Sequence, residues 1–78
     1  MILAVGDKLR VIATNAARHT ITALDESTRA LPEFEVVGID EGCVQLFDRR
    51  ACRTEWYELH GNRVRHWRQW YDVERVET

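Results

Sequence analysis

Residues Glu55 to Val73 read EWYELHGNRVRHWRQWYDV, and the fold turns on this stretch. It holds all three tryptophans (Trp56, Trp67, Trp70) and both tyrosines (Tyr57, Tyr71). Aromatic side chains bury the most apolar area each, so other strands, a helix, a ligand or a second chain must cover this segment. Gly61-Asn62 is a hairpin signal between two β-favouring runs, Trp56 to Leu59 and Val64 to Tyr71. On this final strand Arg65, Trp67, Gln69 and Tyr71 share one face, and Val64, His66, Arg68 and Trp70 share the other.

Upstream, Phe34-Glu35-Val36-Val37-Gly38-Ile39 reads as a strand, Asp40-Glu41-Gly42 as a turn and Cys43-Val44-Gln45-Leu46-Phe47 as the returning strand. With the aromatic hairpin this makes an antiparallel meander of four strands. Lys8 to Thr14 alternates as a strand, but Leu9, Ile12, Ala13, Ala16 and Ala17 also fit helical spacing. β-Branched Val11, Ile12 and Thr14 favour the strand. Asp25 to Leu31 fits one or two helical turns stopped by Pro32, or else belongs to a long loop. The expected fold is therefore a β-rich α+β domain: a twisted antiparallel sheet of four to five strands with at most a short helix. The alternative is an all-β, SH3-like barrel that uses Lys8–Thr14 as its first strand.

Seventy-eight residues make a single domain, residues 1–78, with a core that supplies only a few kcal/mol of net stability. The formal net charge of −2 disfavours nucleic acid or an acidic membrane as the main partner. The apolar start, Met1 to Val5, is cut off by Gly6-Asp7-Lys8, too early for a signal core or a membrane span, so a cytoplasmic location is expected. Cys43 and Cys52 are then expected as free thiols. With His60 and His66 they match no zinc spacing, and no metal or cofactor is expected.

The run Asn62-Arg63-Val64 followed by Trp67-Arg68-Gln69-Trp70-Tyr71-Asp72 resembles the last hairpin of limonene-1,2-epoxide hydrolases and their SnoaL-like relatives in the nuclear-transport-factor-2-like superfamily. The likeness covers about a quarter of the chain, a span that makes it a motif of moderate specificity. In that family the residue after Trp-Arg is a catalytic aspartic acid, and here the position is Gln69. A carboxamide cannot act as a general acid near neutral pH. The family's second catalytic aspartate lies in an Arg-x-Asp motif, and the corresponding steps from Arg49 and Arg50 reach Ala51 and Cys52. The resemblance thus implies a binding domain of epoxide-hydrolase-like shape with no catalytic residue.

Arg65, Trp67, Gln69, Tyr71, Trp56 and Trp70 are the candidate ligand- or partner-binding residues. The occupant expected from the resemblance is a small apolar molecule held between aromatic rings and the Gln69 amide. The other function class is an accessory or inhibitor protein, such as mobile elements carry, acting by protein or nucleic-acid contact through exposed Trp and Arg. An open sheet with aromatics on both faces would also leave an apolar patch that a homodimer could cover. Purified protein is expected not to open limonene oxide above background; turnover abolished by Gln69→Ala would contradict the absence of a catalytic residue.

Overall fold

The computed structural model describes residues 1–16 and 31–77. These form six strands: β1 (Lys8–Thr14), β2 (Glu33–Asp40), β3 (Cys43–Asp48), β4 (Arg53–His60), β5 (Arg63–His66) and β6 (Gln69–Val76). Each pairs antiparallel with the next, and β6 pairs back onto β1, so the meander closes into a barrel. Among the described residues there is no helix, and the all-β alternative holds rather than the α+β expectation. The helix expected from Asp25 lies outside the described residues, apart from Leu31. Lys8–Thr14 is a strand, as its β-branched residues suggested.

Closure follows from the alternation of side chains and from two irregularities in pairing. Inward positions carry Leu9, Val11, Phe34, Val36, Val44, Leu46, Tyr57, Val64, Tyr71 and Val73, all buried. A barrel with this few strands has an interior just wide enough for such side chains to fill. The β1–β6 register shifts between Val11 and Ala13, and the β2–β3 register shifts between Val36 and Gly38. Shifts of this kind bend a strand and tighten its twist. The β1–β2 ladder is short and is continued by Gly6 N–H donating to Val36 O and Val36 N–H donating to Asp7 O, both 2.8 Å.

Three rings stack the centre of the core. Phe34 lies edge-on to Tyr57 at 5.4 Å and to Tyr71 at 5.5 Å, and the two tyrosine rings are 6.4 Å apart. The Tyr57 hydroxyl is raised well above the usual phenol pKa by burial, then by the neighbouring Tyr71, Asp48 and Glu55.

The main departure from the sequence expectation is in the last strand. Val64 to Tyr71 is not continuous: β5 ends at His66, Trp67-Arg68 turns the chain, and β6 starts at Gln69. A two-residue turn reverses the parity of everything after it. Tyr71 therefore pairs with Val64 inside the barrel, and Trp70 pairs with Arg65 outside. The single face of Arg65, Trp67, Gln69 and Tyr71 is thereby divided. Phe34→Ala should cost about 3–5 kcal/mol through the lost ring and the cavity it leaves. Urea denaturation followed by tryptophan fluorescence measures it, and a loss under about 1 kcal/mol would mean that the three-ring core is not built as described.

Candidate functional site

The strand directions sort the connections to two ends. β1, β3 and β5 run toward one end, which carries Asn15, the 49–52 loop and the Trp67-Arg68 turn. The other end carries residues 1–7, the Glu41-Gly42 turn and the Gly61-Asn62 turn. Cys52 belongs to the first end and Cys43, at the start of β3, to the second, and both thiols are free.

The Trp67-Arg68 tip is held from two sides. Asn15, just past β1, donates from Nδ2 to Arg68 O and accepts from Trp70 N–H at Oδ1, both at 2.8 Å. Thr14 Oγ1 donates to Trp70 O at 2.8 Å. On the β5 side, Arg65 Nε donates to Trp67 O at 2.9 Å. The tip backbone is thus fixed by side chains from both flanking strands, although it is a surface turn.

Trp67 sits in this frame with φ at 59° and 83% of its surface exposed. A positive φ at the first central residue and not at the second is the pattern of a type II′ turn, which favours Gly there. The Gly61-Asn62 turn has the same pattern with Gly61, φ 63°, in the favoured place. A bulky side chain in this region is a true outlier and costs on the order of 1–3 kcal/mol. The indole recovers little of that by packing: among the described residues its one ring neighbour is His66, edge-on at 6.3 Å.

The other candidates distribute around this tip. Trp56 lies on the outer face of β4, 47% exposed, next to Gln45 in register and over Gly38. A Cβ on Gly38 would come within 2.7 Å of Gln45 Oε1 and 3.5 Å of the Trp56 ring, so the glycine makes room for both. Trp70, also outside, is covered by the Arg63 guanidinium at 3.8 Å from the ring centroid. Arg63 is anchored in turn by Asp72, at 2.7 and 3.2 Å. That ion pair, through its hydrogen bond first, holds the Asp72 carboxyl below the usual aspartate range. Gln69 opens β6, exposed, with its Oε1 3.4 Å from the Tyr71 hydroxyl. Tyr71 belongs to the core.

Among the described residues the candidates form a surface at one end and one flank of the barrel. Arg65, Trp56 and Trp70 lie on the outer face of β4–β6 and Trp67 at the tip, while Gln69 has the inward parity of Tyr71 and is exposed at the end of the barrel, 3.4 Å from the Tyr71 hydroxyl. Sequence reasoning missed Asn15, whose short polar side chain after a β-run was its only signal, and it missed the turn. Among the described residues no group of three His, Cys, Asp or Glu side chains is placed to hold a metal ion, and no helix is long and apolar enough to cross a membrane. No family model, curated protein or solved structure matches this chain.

Two outcomes follow. Asn15→Ala should cost about 1 kcal/mol and speed exchange of the Trp70 amide hydrogen, whose acceptor is removed. Unchanged protection of that amide, read by NMR, would mean the tip is held by other contacts. Asp72 has a lowered folded-state pKa, so its contribution is present above the unfolded value of about 3.9 and lost as pH falls below it. Urea midpoints of the wild type should fall between about pH 5 and pH 3 more steeply than those of Asp72→Asn; parallel curves would contradict the pairing.

Proposed function

We propose that this chain is a non-catalytic binding module that engages a partner protein chain through the Trp67 tip and the adjoining outer face of β4–β6. The observation that carries the proposal is Trp67 itself: an exposed indole at a backbone position that favours glycine, on a turn clamped by Asn15 and Arg65. A costly conformation that adds little packing to the fold points to a use outside it. Tryptophan and arginine are the residues most enriched among those that dominate binding energy, and a pre-fixed backbone lowers the ordering cost of contact.

The small apolar ligand drawn from the epoxide-hydrolase resemblance has less support. The residues that carry the likeness, Trp67 to Asp72, straddle a turn, and Tyr71 points into a filled interior while Arg65 and Trp67 point out. A homodimer is one form the partner can take. The argument from two open sheet faces no longer requires it, because closure hides one face inside the barrel.

A random peptide library displayed on phage and selected against the wild-type protein tests the proposal. Binders should be recovered whose affinity falls at least about 30-fold in Trp67→Ala, the loss typical of an interface anchor. Trp56→Ala should weaken the same binders less. Selected peptides that bind Trp67→Ala as well as wild type would overturn it.

A further inference from the structure

The arginines fall into two sets. Four are joined to carboxylates: Arg10 to Glu74, Arg50 to Glu33, Arg63 to Asp72, and Arg75 to Asp7 and Glu77. The other four of the described residues, Arg49, Arg53, Arg65 and Arg68, have no carboxylate partner among the described residues, and all are exposed. They occupy the 49–52 loop, the start of β4, the end of β5 and the tip, at or beside the barrel end that carries Trp67.

Among the described residues, the carboxylates of Asp48, Glu33 and Glu55 at that end are already engaged. Asp48 Oδ1 accepts from the Arg50 and Ala51 amides at 3.0 and 3.1 Å, closing the 49–52 loop. Glu33 is taken by Arg50 at 2.7 Å, and Glu55 faces His66 Nε2 at 3.7 Å. The opposite end carries Asp40 and Glu41 at its turn and Asp7 nearby, while Glu58, cross-strand from Arg65, is 3.1 Å from His60 Nε2. In a chain with net charge −2, the guanidiniums of the described residues that lack a carboxylate partner thus lie at or beside one end, around the one strained aromatic residue.

Resting on the reading of the tip as a contact surface, we propose that its occupant is an acidic protein segment: an apolar side chain meets the Trp67 indole, and flanking Asp or Glu carboxylates meet Arg49, Arg53, Arg65 and Arg68. Guanidinium forks match carboxylates in bidentate geometry, and opposite potentials across a contact set orientation and association rate. A single-stranded nucleic acid would need a row of stacking platforms along a basic groove. Here Trp67 alone is presented at the basic end; Trp56 lies on the flank beside Gln45, and Trp70 is covered by Arg63.

Two peptide libraries separate the charge from the tip. Each randomises apolar positions, one on an Asp/Glu framework and one on an Asn/Gln framework, and each is selected against the full chain. The acidic library should yield the tighter binders, with affinity falling as NaCl is raised. The triple variant Arg49→Gln, Arg53→Gln, Arg68→Gln should weaken these binders about tenfold or more, with Arg10→Gln and Arg75→Gln changing them less than about twofold. Circular dichroism would confirm that the variants stay folded. Equal recovery from the neutral library, with binding still lost in Trp67→Ala, would overturn the acidic occupant and leave the contact surface standing. Tighter binding of an oligothymidylate than of any acidic peptide would overturn it in favour of nucleic acid. Binders from neither library would overturn both.

Discussion

The pairing of β1 with β6 is the constraint on which the rest depends. It joins residues 57 to 68 positions apart and turns an open meander into a barrel. Without it Leu9 and Val11 would have no core to enter, and the inner faces of Tyr71 and Val73 would meet water. The same pairing runs on past Thr14 and delivers Asn15 to the β5–β6 tip, where its amide binds both Arg68 O and Trp70 N–H. Closure and presentation of Trp67 are consequences of one ladder. An exposed two-stranded hairpin would be marginal alone, but here the tip is fixed to the most distant strand in sequence.

The outer surface divides into parts that serve the fold and parts left open to contact. Asp72, Arg63 and Trp70 form a closed stack, carboxylate to guanidinium to indole, on the flank of β5–β6. Trp56 lies partly over Gly38 and Gln45. Trp67 is different in kind, since its exposure is large and its backbone position unfavourable. Exposed surface ion pairs each contribute little to stability. The distribution of such pairs still matters, because it determines where positive charge remains unmatched.

Much of the architecture was legible in the sequence. Alternation and turn residues located β1, β2, β3 and β4, and Gly61-Asn62 announced its hairpin because glycine is the residue a type II′ turn favours. The Trp67-Arg68 turn was hidden for the same reason: a strand-favouring tryptophan stands where glycine would have signalled a break. Missing that turn reversed the parity of β6 and put Tyr71 on the wrong side. Barrel closure was also obscured, because Leu9 to Ala17 fits two periodicities and its partner strand lies at the far end of the chain. Which of the candidate residues face outward depended on a backbone conformation that residue type argues against.

The central claim is that Trp67 costs the fold stability and is retained for contact. The most direct measurement is the urea unfolding free energy of Trp67→Gly beside its affinity for peptides selected on the wild type. Glycine relieves the left-handed strain and removes an exposed ring, so the variant should be more stable by about 1 kcal/mol and should lose peptide binding. A variant that is less stable than wild type, or that binds as well, would contradict the account.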